Sequence, residues 1–139
     1  MQVVIPIEFV VIDEGIHLLV KVEVNSFRVN LVLDTGASKS VLDSNSIDLF
    51  LVDQIHDTDE ESTSIGNTTL RSQKALIKEL KFGGITLWNK MVNVLDLSNV
   101  IHVYESLNLP LIHGILGADL LQEMNAVVDF KNKTLMLEY

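Results

Sequence analysis

The chain has 139 residues, 47% of them hydrophobic, with no cysteine and a formal net charge of −9. One domain of this length buries about two-thirds of the surface of its unfolded chain, and the composition excludes disorder, a disulfide framework and a thiolate metal site. The acidic balance disfavours nucleic acid and anionic membranes as partners, because their phosphate groups would repel the protein. We therefore expect a single domain over residues 1–139.

The N-terminal segment, residues 1–15, is apolar enough to raise the question of a signal peptide or a membrane span. No basic stretch precedes the apolar run, Pro6 and Glu8 interrupt it, and it ends at Asp13. It is therefore shorter than the roughly 18 apolar residues that a span requires. We expect a buried pair of strands here, in a cytoplasmic protein.

Short apolar runs separated by polar turns are typical of an all-β domain with little helix. Three pairs of such runs predict β-hairpins, with turns at Asn25 and Ser26, at Gly83 and Gly84, and at residues 131–133. The predicted strand pairs are 17–24 with 27–33, 75–82 with 85–95, and 126–130 with 134–139. The first two hairpins resemble each other, since each ends in apolar residues and an aspartate, which predicts a weak internal duplication.

Two helical segments interrupt the strands in this interpretation. Residues 44–52 are compatible with a short helix or turn, and residues 118–123 with a short helix after Gly117. Residues 43–61 contain seven acidic side chains and no lysine or arginine, so most of the net charge lies there. We expect this acidic segment to be a solvated loop.

Most catalytic signatures are absent from the sequence. It has no G-x-S-x-G elbow, H-E-x-x-H helix, Walker A loop or G-x-G-x-x-G. The four histidines lie far apart without metal-ligand spacing, so structural or surface roles are the default for each. The sequence therefore predicts no metal site.

One segment, residues 31–38 (LVLDTGAS), does carry a chemical signature. An apolar strand runs directly into Asp34, a carboxylate that a buried strand end would avoid unless it were hydrogen-bonded or functional. Thr35 and Gly36 then force a turn. An Asp-Ser/Thr-Gly triplet occurs by chance in roughly one chain in twenty of this length, and the flanking apolar residues lower that chance by about an order of magnitude.

A second element lies about eighty residues downstream, where Ile115, Leu116 and Gly117 form an apolar pair and a glycine before the helical segment. Together the two elements resemble the active-site framework of aspartic proteases. There the apolar-apolar-glycine strand is threaded against the Asp-Thr-Gly loop, and the glycine permits close backbone approach. A single triplet in 139 residues is similar to the retropepsin-like (retroviral-type) branch, in particular its bacterial and cellular single-domain members.

This resemblance implies an all-β fold, a small closed barrel-like aspartic protease half with psi-loop threading and one short helix in its C-terminal half. It implies an aspartic endopeptidase with catalytic Asp34, Thr35 and Gly36, whose second aspartate comes from another copy of the chain. Two neighbouring carboxylates cannot both ionise easily, so one keeps its proton while the other activates a water. The implied partners are a homodimer mate and a polypeptide substrate, and neither a metal nor an organic cofactor is required.

The resemblance assigns further roles by position. Substrate contacts fall on Ala37, Ser38, His113, Gly114 and Ile115, and on a flap tip at Ile65, Gly66 and Asn67 within residues 62–74. The structural motif comprises Ile115, Leu116, Gly117 and Asp119. Ser38 and Ala118 stand where retroviral enzymes carry an aspartate and an arginine that pair with each other. Because both charges are absent together, a different dimer support is expected.

Ala37 stands where pepsin-like relatives carry a serine or threonine that hydrogen-bonds the ionised aspartate. Its absence predicts a pH optimum that is weakly acidic to neutral rather than strongly acidic.

Two alternatives remain open from the residues alone. The chain could be a catalytically silent retropepsin-like dimerisation or peptide-binding module, because fold does not prove activity. It could also be an unrelated β-sandwich or small barrel that carries the triplet by chance.

Overall fold

The computed structural model describes the backbone of residues 1–55, 61–63, 69–71 and 73–139. Over these residues the chain is mostly β-structure. The strands are β1 (Gln2–Ile12), β2 (Gly15–Val24), β3 (Phe27–Leu33), β4 (Val41–Asp43), β5 (Asp53–Ile55), β6 (Glu61–Thr63), β7 (Thr69–Arg71), β8 (Gln73–Phe82), β9 (Ile85–Leu95), β10 (Gly114–Leu116), β11 (Val127–Asp129) and β12 (Thr134–Glu138). The three predicted hairpins are confirmed as β2–β3, β8–β9 and β11–β12.

Turn chemistry sets the register of the first two hairpins. Asn25 and Ser26 both have positive φ, at 48° and 72°, and Gly83 has a φ of 57°. Two-residue turns with positive φ match the right-handed twist of the flanking strands. They therefore hold Val24 opposite Phe27 and Phe82 opposite Ile85.

Six strands close into a barrel, in the order β2, β3, β10, β4, β9 and β8, because β8 also pairs with β2. Side chains alternate along each strand between the interior and solvent. On β2, for example, Val20, Val22 and Val24 are buried in the main core, whereas Lys21 is exposed. The predicted all-β barrel is confirmed.

The remaining sheet extends outward from β2 through β1, β12 and β11. Strand β1 pairs with β12 up to Pro6 and with β2 from Ile7 onward, so the N-terminal segment is one long strand with two successive partners. The expected buried strand pair within residues 1–15 is therefore wrong. Val4 and Val11 are 59% and 66% exposed, because β1 presents its alternate side chains to solvent.

The threading around β10 is the feature that positions the site. Strand β10 lies between β3, to which it is parallel, and β4, to which it is antiparallel, although β3 and β4 follow each other in the chain. A Cβ on Gly114 would lie 2.2 Å from the Val41 carbonyl oxygen, and one on Gly117 2.7 Å from the Lys39 carbonyl. Only glycine permits backbones to approach so closely.

The part of the chain that the structure describes contains two α-helices, α1 (Ser98–Ser106) and α2 (Ala118–Glu123), together with a short 3₁₀ helix at Asp48–Phe50. Helix α2 confirms the predicted short helix, and the 3₁₀ helix lies within residues 44–52. Helix α1 was not predicted from the sequence. Among the described residues, no helix has the length and apolar character needed to span a membrane.

The acidic segment does not begin as a solvated loop, because Asp43 is the last residue of β4 and only 2% exposed. Its Oδ1 accepts a hydrogen bond from the Leu97 N–H (3.0 Å), and its Oδ2 accepts one from the Ser46 hydroxyl (3.2 Å). A carboxylate can be buried when such donors replace its water. The expectation of a solvated loop is therefore wrong at Asp43.

Candidate active site

Asp34 follows β3 directly and is exposed at the turn that leaves the barrel. Its backbone N–H donates to the Leu116 carbonyl (3.0 Å), which fixes the start of the turn to the end of β10. Its carboxylate Oδ1 accepts a bond from the Gly36 N–H (2.9 Å), and its carbonyl accepts one from Ala37 (3.2 Å). A Cβ on Gly36 would lie only 3.3 Å from Oδ1, so the glycine lets the backbone donor reach the carboxylate.

A buried hydrogen-bond network supports this turn from below. Ser40, which is 3% exposed, donates from both its N–H (2.9 Å) and its hydroxyl (2.7 Å) to Asp119 Oδ1. The Ser40 hydroxyl in turn accepts the Gly117 N–H (2.9 Å). These bonds join the Asp34 loop to the start of α2 with neutral donors and one carboxylate. Ser40 was missed from the sequence, where nothing distinguishes it from Ser38.

A cleft of about 340 Å³ lies beside the Asp34 side chain. Its wall is mainly apolar, with Asp34, Thr35 and His17 as the polar lining residues. The apolar lining residues are Ile16, Leu18, Val32, Leu33, Val128 and Phe130. Strands β2, β3 and the β11 region therefore build a pocket at the carboxylate, in a form that can hold an apolar or mixed side chain.

The sequence of this region matches a known protein family. The profile of the aspartyl protease family matches residues 20–120, which begin within β2, end within α2 and include both the Asp34 turn and β10. The chain belongs to the aspartyl protease family. No curated protein sequence matches it.

Solved structures agree on the fold of this member of the aspartyl protease family. A retropepsin-like aspartic protease from Rickettsia conorii matches with a TM-score of 0.58 and 18% identity, over 100% of this chain and 90% of that one. The retroviral protease-like domain of Ddi1 from Leishmania major matches with 0.57 and 18%, over 87% of each chain. EIAV protease in complex with the inhibitor HBY-793 matches with 0.51 and 22%, over 82% and 93%. The predicted retropepsin-like fold is confirmed.

Within this fold, the predicted structural motif surrounds the Asp34 turn. Leu116 is buried and accepts the Asp34 N–H, Gly117 lies against the Lys39 backbone, and Asp119 accepts from Ser40. Ile115 is half-buried between Val32 and Val41.

The predicted substrate residues fall into different places. Ala37 is half-buried and its carbonyl accepts the Ala118 N–H (2.7 Å), whereas Ser38 is exposed. Gly114 is buried between β3 and β4, where its lack of a side chain serves the threading. The predicted flap tip, Ile65, Gly66 and Asn67, lies outside the described residues. The strands that flank it, β6 and β7, pair antiparallel from Glu61 opposite Arg71 to Thr63 opposite Thr69.

His113 is not brought together with Asp34. It precedes β10, roughly 10 Å along the strand from Leu116, and its backbone bonds Asn30 and Asp43. Its ring packs edge-on against Phe50 with centroids 5.0 Å apart, and its Nδ1 is buried with no hydrogen-bond partner among the described residues. Burial lowers the pKa of His113, and the charge of Asp43 opposes that shift only in part.

Metal binding finds no support among the described residues, where no group of three or more histidine, aspartate or glutamate side chains could hold an ion. What the site offers chemically is one exposed carboxylate, held by a backbone donor, beside a mainly apolar cleft. That arrangement is suited to proton transfer by a side-chain carboxylate.

Proposed function

We propose that this aspartyl protease hydrolyses peptide bonds as a homodimer, with Asp34 of each copy forming half of one catalytic pair. The observation that carries the proposal is the composition of the cleft. Asp34 is the only carboxylate among its described lining residues. Acid-base catalysis of this type requires two carboxylates, so the second must come from another copy of the chain.

The proposed chemistry follows from placing two carboxylates side by side. Their like charges prevent both from ionising easily, so one holds a proton and the other acts as a base. The base takes a proton from a water molecule while the oxygen of that water attacks the peptide carbonyl. The protonated partner donates a hydrogen bond to the developing oxyanion. Collapse of the tetrahedral intermediate breaks the C–N bond, and the leaving amine takes up a proton from the pair.

The face beside Thr35 supports the proposed dimer, because it lies next to the carboxylate that must be shared. Thr35 lines both the Asp34 cleft and a second cavity, formed with α2 and the start of β11. Strand β11 ends the ten-stranded sheet, so one side of it has no strand partner among the described residues. Val127 on this strand is 48% exposed, and Phe130 just after it is 61% exposed. An edge strand with exposed apolar side chains is suited to symmetric association.

The test compares Asp34→Asn with Asp96→Asn on a mixture of denatured proteins. Asp96 is an exposed aspartate that also follows a hairpin, so it is a matched control. We expect Asp34→Asn to lower the initial cleavage rate by about 10³-fold, as for loss of a general acid-base group, and Asp96→Asn to leave it unchanged. Equal cleavage by wild type and Asp34→Asn would assign the activity elsewhere.

Sedimentation of the wild type tests the dimer separately. A monomer at concentrations that support cleavage would contradict the shared pair. A dimer that binds peptides without cleaving them would instead identify a silent peptide-binding module.

A further inference from the structure

His17 and Tyr104 form a polar pair between β2 and α1, at the wall of the Asp34 cleft. The Tyr104 hydroxyl lies 3.1 Å from His17 Nδ1, and the two rings meet edge-on with centroids 5.9 Å apart. Tyr104 is 1% exposed and packs in a small apolar cluster with Val10, Leu19 and Ile112. His17 lines the cleft, whereas Tyr104 does not. The proposed catalytic chemistry does not use this pair.

The direction of this hydrogen bond follows from the burial of Tyr104. Burial raises the pKa of the Tyr104 phenol, so the hydroxyl keeps its proton. Among the described residues its partner is His17 Nδ1, and a buried hydroxyl proton without an acceptor would be costly. The hydroxyl therefore donates to Nδ1. A neutral imidazole that accepts at Nδ1 carries its proton on Nε2.

The ring thus has a donor on the edge that does not face Tyr104. We propose that His17 is a specificity-determining residue, whose Nε2–H donates to the carboxamide oxygen of a glutamine or asparagine side chain bound beside Asp34. Tyr104 is its positioning residue, because it fixes both the ring orientation and the tautomer. This inference rests on the proposed function, since it names the substrate side chain that the same cleft accepts.

The lining of the cleft favours a carboxamide over other acceptors. Ile16, Leu18 and Val32 provide apolar surface for the methylene groups of a glutamine stem. A glutamate would bring a second negative charge next to the Asp34 pair, which costs electrostatic energy in a partly desolvated cleft. A methionine of similar shape would bury the stem equally well but would leave the His17 N–H without an acceptor. Two-fold symmetry repeats the subsite, so it serves side chains on both sides of the scissile bond.

The first experiment compares cleavage of two peptides that differ only by glutamine or methionine next to a scissile bond found by digestion of denatured proteins. We expect the wild type to prefer the glutamine peptide by about 3- to 10-fold in kcat/KM, the range of one neutral hydrogen bond. His17→Phe should abolish the preference, and Tyr104→Phe, which keeps the packing, should reduce it. The control His102→Phe makes the same exchange at an exposed position on α1 and should retain the preference.

A binding measurement separates this inference from the proposed function. Fluorescence anisotropy with the Asp34→Asn variant compares short labelled peptides that carry a central glutamine or methionine, with and without His17→Phe. Tighter binding of the glutamine peptide that depends on His17 supports the inference even if the wild type cleaves nothing. Equal binding of both peptides overturns it even if the wild type is an active protease.

Nitrogen NMR of the His17 ring tests whether Tyr104 fixes the tautomer of His17 or only packs against the ring. The wild type should show the proton on Nε2, and Tyr104→Phe should shift the ring toward a mixture of tautomers. A ring with its proton on Nδ1 in the wild type would contradict the inference, and so would a tautomer that Tyr104→Phe does not change.

Discussion

Two turns of the molecule share the same local hydrogen bond but differ in their surroundings. Asp34 directly follows hairpin β2–β3, and Asp96 directly follows hairpin β8–β9. Each carboxylate accepts a 2.9 Å hydrogen bond from the N–H two residues later, from Gly36 in one turn and Ser98 in the other. The pairing around them also corresponds, since β10 runs parallel to β3 and β4 runs parallel to β9. This arrangement is what the predicted internal duplication would produce.

The turns diverge after the shared hydrogen bond. At Asp96 the chain continues into α1, and hydrogen bonds from Ser98 hold the pKa of Asp96 below its usual value. At Asp34 the chain turns back into a loop that packs on Gly117, beside the cleft that His17 lines. An aspartate with a local backbone donor is therefore not in itself a site. The threading strand and the cleft distinguish the Asp34 turn.

The largest expected effect comes from changing the residue that follows the crossing strand. Gly117 follows β10 in the Asp34 region, and Ser44 follows β4 in the Asp96 region. Gly117→Ala places a Cβ 2.7 Å from the Lys39 carbonyl, so we expect a loss of about 3 kcal/mol in the free energy of unfolding. Ser44→Ala should change it by less than about 0.5 kcal/mol. Urea denaturation of both variants measures the difference, and comparable stabilities would show that the close approach relaxes at little cost.

The next largest effect is expected from the Ser40 hydrogen bonds, which hold the loop after Asp34 in place. Ser40→Ala leaves the buried Gly117 N–H without its acceptor and removes one donor from Asp119. We expect a loss of about 2 kcal/mol in the free energy of unfolding, together with lower kcat, because the loop that carries Asp34 loosens. Ser38→Ala, an exposed serine in the same loop, is the matched control for stability. If the two variants unfold at the same denaturant concentration, the network contributes nothing measurable.

The features that the sequence predicted correctly are those determined by residues close together in the chain. Alternation and turn residues predicted the three hairpins, whereas the threading was implied by the resemblance that the Asp34 triplet and Gly117 carry. In hairpin β2–β3, for example, the turn at Asn25 and the alternating faces of both strands lie within one continuous stretch of the chain. Such information is available without knowledge of the rest of the fold.

Features that depend on distant partners were missed. Leu97, the N-cap residue of α1, makes no side-chain cap bond, and the helix is stabilised by burying Tyr104 against the outside of the barrel. His17 reaches Tyr104 across 87 positions of the chain, and Ser40 reaches Asp119 across 79. Asp43 was assigned to a solvated acidic loop because its donor Leu97 lies 54 positions away along the chain. Tertiary hydrogen bonds of this kind have no periodicity that a sequence could reveal.

A smaller effect concerns the carboxylate that supports the Asp96 turn. Asp43→Asn keeps the size of the side chain but weakens the charge-assisted bonds from Leu97 and Ser46. We expect a loss of about 1 kcal/mol in the free energy of unfolding with kcat unchanged, in contrast to Ser40→Ala. A fall in kcat as large as that of Ser40→Ala would mean that the two turns are coupled, and that the comparison between them is incomplete.

The smallest effect is a pH dependence of stability that arises at the far end of β10. Burial lowers the pKa of His113 below its ordinary value of 6.5, so below that pH the unfolded chain binds more protons than the folded chain. The free energy of unfolding should therefore fall as pH drops below about 6.5, by about 1 kcal/mol or less between roughly pH 7 and pH 5. His113→Leu should flatten this dependence in urea titrations at several pH values. Because His113 lies away from Asp34, the pH–rate profiles of wild type and variant should superpose. A shifted profile would indicate that His113 contacts the substrate, as the sequence predicts.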